Sequence, residues 1–334
     1  MRNTDAWMGR SALALALMMG CAETGSNTRD VTTAHDAASA DSEAPWIGDV
    51  ASEAVETEVA RLERETSARR VAVVVLRVED GLVLAHHDAR DPVPTGSTLK
   101  PLTIAAALEA GLDPELRFDT PSPFRDGDVE LTDWSPRPSL DAREVLVHSS
   151  NVGTARIAQR VGPHRVHEML TRFGFDRPCN VGEAGHFPPA DEWVGGPGLR
   201  LAAGIDITAS PFHIAAAYLA LARGGMYAHP TTMGDHHETR VMSEATARRV
   251  VAMLEAATSE GTGQRARIDG QRVAGKTGTA VVADPEGDRH FASYVGIVDA
   301  EAPRFVIYVG VDVDASEAGG TVAAPAFARI AQAL

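Results

Sequence analysis

Three short stretches of this 334-residue chain hold residue types able to make and break an acyl bond. The first is Ser97-Thr98-Leu99-Lys100. On a helix, positions i and i+3 share a face, so the Ser97 hydroxyl and the Lys100 amine can meet. A serine becomes a nucleophile when a neighbouring base takes its proton. Lysine serves as that base if its neutral form is accessible, and lowering its pKa from ~10.4 to ~7.4 takes about 4 kcal/mol. Burial and a second nearby cation are the terms that supply it. The second stretch is Ser149-Ser150-Asn151. Residues two apart do not share a helix face, so Ser149 and Asn151 converge only where the chain turns. A hydroxyl and a carboxamide facing one cleft would relay a proton and hold a substrate amide. The third is Lys276-Thr277-Gly278-Thr279, which ends a strand-like run from Gln271 to Gly275. Glycine inside a strand marks close approach of another backbone. Here it would let a peptide lie along an edge strand, with lysine and threonine receiving its carboxylate. Taken singly, each stretch has a plain structural explanation as solvated helix surface, helix capping or a hairpin turn.

The elements that must position these residues are legible in outline. Val55, Val59 and Leu62 keep helical spacing and predict an amphipathic helix over 49–67. Val71 to Val78, Asp80-Gly81 and Leu82 to Ala85 read as a hairpin. A helical pattern runs from Ser97 to Ala110 and stops at Gly111. Short helices fill 140–174, broken at Ser149-Ser150-Asn151 and at Gly162-Pro163, and longer ones follow at Pro211–Arg223 and Ser243–Ser259. Strands are expected near 272–280, 290–298 and 304–312, with a last helix over Ala323–Ala333. Strands at both ends with helices between them imply one sheet assembled from distant segments, an α+β fold.

Composition narrows the function. Against 46 Asp and Glu stand 31 Lys and Arg, a formal charge of −15, which argues against nucleic acid as a partner. Two cysteines, Cys21 and Cys179, exclude a disulfide-stapled scaffold and any all-cysteine metal site. At the N-terminus Arg2 and Arg10 precede an apolar run from Ala12 to Met19, then Gly20 and Cys21, the pattern of a signal peptide over 1–21. Leu17-Met18-Met19-Gly20-Cys21 resembles a bacterial lipoprotein signal, in which the cysteine is acylated, although the leucine sits one place early. Residues 22–47, rich in Ala, Ser, Thr and Asp up to Pro45, are expected to be a flexible tether, and the folded domain to occupy 48–334.

The three stretches occur together and in order, and Ser-x-x-Lys, a Ser-x-Asn-type element and Lys-Thr-Gly are jointly the signature of penicillin-binding proteins and serine β-lactamases. Their surroundings, Thr95-Gly96-Ser97 to Lys100-Pro101-Leu102-Thr103, His148-Ser149-Ser150-Asn151-Val152-Gly153, Gly261-Thr262-Gly263, Val273 to Ala280 and Gly320-Thr321-Val322 to Phe327, resemble the transpeptidase domain of class B penicillin-binding proteins over roughly 48–334. The resemblance implies a β-lactamase/D,D-peptidase-like fold, an antiparallel sheet flanked by helices. It implies a peptidoglycan D,D-transpeptidase in which Ser97 is acylated by a stem peptide or a β-lactam antibiotic and Lys100 is the general base. Ser149 would pass a proton to the leaving amine, and Asn151 would hold the donor amide. Lys276 would supply positive potential, while Thr277, Gly278 and Thr279 would form the strand that receives the terminal carboxylate. The mechanism needs neither cofactor nor metal. The N-terminal pattern implies an exported protein, membrane-anchored on the periplasmic or extracytoplasmic side through a lipid on Cys21, and a separate glycan polymerase stays open as a partner.

Departures from the family pattern are the pedestal domain, for which only the tether stands before the domain, the short His87–Thr95 segment, Thr95 in place of proline, and Leu99 in place of an aromatic. Related activities compete with this reading. A class A β-lactamase would carry Glu-x-x-Leu-Asn, a pattern that Glu168, Glu183 and Glu192 all lack. A D,D-carboxypeptidase differs only in using water as acceptor, and a non-catalytic β-lactam sensor or scaffold would take the drug without turnover. Asp235-His236-His237-Glu238 lacks the spacing of a zinc motif, and Cys179 stands outside every motif.

Overall fold

The computed structural model describes residues 45–232 and 237–334. Cys21 and most of the expected tether, together with Asp235 and His236, lie outside the described residues. Five strands form the main sheet: β1 (Arg70–Arg77), β2 (Val83–His87), β3 (Val273–Val282), β4 (Arg289–Val298) and β5 (Phe305–Asp314). Their order is β3-β4-β5-β1-β2, every pairing antiparallel, so the first two strands in sequence complete a sheet begun by the last three.

Both faces of this sheet are covered, which is why β1 is valine-rich and buried almost throughout rather than alternating with polar residues. Val71, Val73 and Val75 with Ile307, Val309 and Val311 face α1 (Ile47–Glu65) and the C-terminal helix. Ala72, Val74 and Leu76 with Val306 and Tyr308 face the larger helical layer. That layer comprises α2 (Lys100–Glu109), α3 (Ala142–His148), α4 (Asn151–Val161), α5 (Pro163–Arg172), α6 (Gly195–Ala202), α7 (Pro211–Ala222) and α8 (Glu244–Ser259). The last helix, α9 (Ala323–Ala333), spans the predicted residues and packs beside α1, where Glu58 accepts a 2.8 Å bond from Arg329 Nε. Among the described residues no helix is long and apolar enough to cross a membrane.

Local differences from the expected pattern have physical causes. The nucleophile stretch does not start as an α-helix: Gly96–Leu99 is a 3₁₀ turn that leads into α2. The break expected at Ser149-Ser150-Asn151 is shorter, because Ser149 takes a left-handed conformation (φ 55°, ψ 37°) and Asn151 already begins α4. Helix α6 carries three glycines and a proline in Gly195-Gly196-Pro197-Gly198, a local composition that argues against a helix and is overridden by packing.

Candidate active site

The 3₁₀ turn at Ser97, the Ser149 turn and strand β3 meet through the side chains of Lys100 and Lys276. Ser97 and Lys100 are three apart on that tight turn, whose geometry eclipses i and i+3, and Lys100 Nζ lies 2.9 Å from Ser97 Oγ. The turn is held from behind. Buried Tyr218 on α7 donates to Thr98 O at 2.9 Å, and the Thr98 hydroxyl donates to Thr95 O at 2.6 Å. Thr95 uses groups that a proline lacks: its N–H bonds Ile207 O at 3.0 Å, and its hydroxyl reaches Gly204 O and Ile207 O, both at 3.2 Å.

Helix α3 ends where Ser149 turns left-handed, which brings Ser149 and Asn151 to one side. The Lys100 amine donates to Ser149 O and to Asn151 Oδ1, each at 2.7 Å. Asn151 Nδ2 in turn donates to Thr132 O at 2.9 Å, which fixes the carboxamide with its oxygen toward Lys100. A carboxamide has two N–H donors and two lone pairs, so one of each remains for another partner.

Strand β3 forms the other wall as the free edge of the sheet. Lys276 Nζ donates to Ser149 Oγ at 2.8 Å and to Thr277 O at 3.1 Å. The Thr277 hydroxyl pairs with that of Thr262 at 2.6 Å, and Thr279 Oγ1 accepts from Gly319 N at 3.1 Å. Gly278 is required for packing, which adds to the substrate access expected of it. A Cβ there would stand 2.4 Å from Ser293 Oγ and 3.0 Å from Thr98 Cγ2, so its absence lets the nucleophile turn approach the strand.

Both lysines are fully buried. Burial lowers the Lys100 amine to a pKa of about 7, opposed by the charge of Asp133. Lys276 is lowered well below its ordinary value by burial first and by repulsion from Lys100 second. An amine whose pKa lies near neutrality and a hydroxyl within hydrogen-bond reach have the chemistry to act as a base and a nucleophile.

All eight residues expected in the site, Ser97, Lys100, Ser149, Asn151, Lys276, Thr277, Gly278 and Thr279, lie on the three segments that meet here, whereas Cys21 lies outside the described residues. Two features escape motif reading. Asp133 accepts bonds from the segment 150–152 although it lies in a distant loop, and nothing local marks it. The other is compositional and could have been found: of 31 Lys and Arg residues only Lys100 and Lys276 are lysines. Arginine does not deprotonate in proteins whereas a lysine amine can, so two lysines in an otherwise arginine-only chain stand out as candidates for a role that arginine cannot fill. Cys179 is a free, half-buried thiol whose pKa is raised by burial.

Comparison with known proteins agrees with this geometry. The family model described as the penicillin-binding protein transpeptidase domain matches residues 66–332. Penicillin-binding protein PbpB of Mycolicibacterium smegmatis is 31% identical, covering 84% of this chain and 52% of its own length. Peptidoglycan D,D-transpeptidase FtsI of Escherichia coli is 31% identical, over 70% of this chain and 42% of its own. The chain thus spans about half the length of the curated relatives it matches. Among solved structures, the apo transpeptidase domain of penicillin-binding protein 3 from Burkholderia pseudomallei superposes with a TM-score of 0.78 at 28% identity, covering 85% of this chain and 93% of that one. Penicillin-binding protein 3 of Mycobacterium tuberculosis complexed with aztreonam gives 0.74 at 29% identity, over 85% and 76%. With the sheet order, the three converging stretches and the family match all in agreement, the chain belongs to the penicillin-binding protein transpeptidase domain family, of the β-lactamase/D,D-peptidase fold.

Proposed function

We propose that this chain is a penicillin-sensitive D,D-transpeptidase that cross-links peptidoglycan stem peptides through an acyl-enzyme on Ser97. The observation that carries the reading is the bonding of Lys100. Two of its three partners, Ser149 O and Asn151 Oδ1, are pure acceptors, and they use both N–H groups of a neutral amine. The lone pair is then left for the Ser97 O–H at 2.9 Å, the arrangement of a general base.

Ser97 Oγ attacks the carbonyl between the last two D-alanines while its proton passes to Lys100. The backbone N–H groups of Ser97 and Thr279 receive the oxyanion, each worth about 3–4 kcal/mol at the transition state. The C–N bond breaks and the departing amine takes a proton through Ser149, whose hydroxyl is held by Lys276. Lys276, Thr277 and Thr279 hold the terminal carboxylate, the peptide lies along the β3 edge past Gly278, and the remaining N–H and lone pair of Asn151 take its amide. An amine of a second stem then attacks the ester and releases Ser97.

The same reading places the protein outside the cytoplasm, exported by residues 1–21, anchored by a lipid on Cys21 through a tether over 22–47, and supplied with glycan by a separate polymerase. Fatty-acid labelling that vanishes in Cys21→Ala tests the anchor. For the chemistry, the full chain and Ser97→Ala are treated with fluorescent penicillin and weighed intact. A stable adduct on wild type that disappears in the variant is expected. Steady antibiotic hydrolysis would make the chain a β-lactamase, and a folded chain that takes no adduct would overturn the proposal.

A further inference from the structure

Among the described residues, Asp133 is the carboxylate that reaches the Ser149-Ser150-Asn151 turn from elsewhere in the chain. Its Oδ1 accepts the N–H groups of Asn151 at 2.6 Å and Val152 at 3.1 Å, and its Oδ2 accepts the Ser150 hydroxyl at 2.6 Å. Ser150 caps helix α4 by accepting from Gly153 N at 2.7 Å, and Asp133 takes the two amides that precede it. Beyond capping, the carboxylate adds orientation, because it binds the backbone of Asn151, whose side chain meets Lys100. The neighbouring Thr132 carbonyl holds the other end of the same carboxamide at 2.9 Å.

We infer that Asp133 is a positioning residue for the acyl transfer, clamping the start of α4 so that Asn151 Oδ1 and Ser149 O hold the Lys100 amine against Ser97. The inference rests on the transpeptidase reading for its reaction and on the hydrogen bonds for its geometry. It has an electrostatic side. The charged groups facing the Lys100 amine are Lys276 from β3 and Asp133 from the 132–134 loop, and Asp133 is the one that favours the protonated amine. A clamp that carries charge therefore also sets where Lys100 gives up its proton.

The two lysines make this directly measurable. Full-length protein labelled with ¹³Cε-lysine shows two side-chain resonances, assigned with Lys276→Arg. The Lys100 midpoint is titrated in wild type, Asp133→Asn and Asp133→Ala, and penicillin acylation rates are measured against pH on the same samples. Asp133→Asn keeps an oxygen for the two amides but loses the charge. Its Lys100 midpoint and the acid limb of its acylation profile should move together toward lower pH by about 0.5 or more. Asp133→Ala loses the clamp as well, and its plateau rate should fall about 10- to 100-fold. A purely structural role would lower the melting temperature or the plateau while leaving both midpoints where they are, and that result overturns the inference. If wild type takes no penicillin but the midpoint moves in Asp133→Asn, the transpeptidase reading fails and the Asp133–Lys100 linkage stands. If wild type is acylated and the midpoint does not move, the reverse holds.

Discussion

Among the described residues, lysine and arginine side chains are buried in two places, at Arg289 and at the pair Lys100 and Lys276, and are treated in opposite ways. Near the start of β4, Arg289 is 6% exposed and meets Asp312 Oδ1 at 2.6 Å, Asp314 Oδ1 at 2.8 Å, Ser67 O at 2.9 Å and Asp312 O at 3.0 Å. On β3 and α2, Lys276 and Lys100 are buried with hydroxyls and carbonyls as hydrogen-bond partners and, among the described residues, no ion pair. A buried charge that is paired and fully bonded stays charged and ties segments together. A buried amine given neutral acceptors alone is pressed toward its uncharged form. Arginine suits the first task and lysine the second, because only the amine deprotonates within the reach of solution pH. The difference separates a residue that holds the sheet to the segment before β1 from residues poised to exchange a proton.

Substitution at each place tests that contrast. The largest effect is expected from Lys100→Met, which removes the base and should lower penicillin acylation roughly 10³-fold or more. Its midpoint in urea should not fall, since a desolvated amine is replaced by a thioether of similar volume. A clear loss of stability with partial activity would break the comparison by making Lys100 structural. Arg289→Met is the mirror experiment. It leaves two carboxylates and two carbonyls without their donor and should cost about 2–4 kcal/mol of unfolding free energy, while acylation per folded molecule stays within twofold.

A smaller and more diagnostic effect is the pH dependence of stability. The folded pKa of Lys100, about 7, lies below the ordinary value of 10.5, so between these limits the unfolded chain holds a proton that the folded one lacks. Stability contributed by this site therefore rises with pH across that window, with a slope approaching about 1.4 kcal/mol per pH unit at mid-window. Lys276, lowered in the same direction, adds to it. Unfolding of wild type measured against Lys100→Met at several pH values should show the gap shifting in favour of wild type as the medium becomes alkaline. A gap independent of pH would mean that Lys100 keeps its proton on folding.

Much of this was readable beforehand for a definite reason. Ser97 and Lys100 are neighbours in sequence, and any helical turn brings i and i+3 together. The long strands and helices announced themselves through periodicity, because burial on both faces leaves valine runs such as 71–75. The less legible features depended on distant segments. Helix α6 is stabilised against its own glycines by what it packs upon, and the 3₁₀ form of the nucleophile turn is held by Tyr218 and by the bonds of Thr95 to 204 and 207.

The sequence by itself determined which chemistry this protein carries: a serine, two lysines and no others, and the turn and strand residues around them. The tertiary structure decided whether that chemistry is switched on. Lys100 and Ser149, 49 positions apart, and Ser149 and Lys276, 127 apart, had to be folded back on one another before either amine lost its water. A lysine pKa depends on desolvation and on charges such as Asp133, and both are properties of neighbours in space.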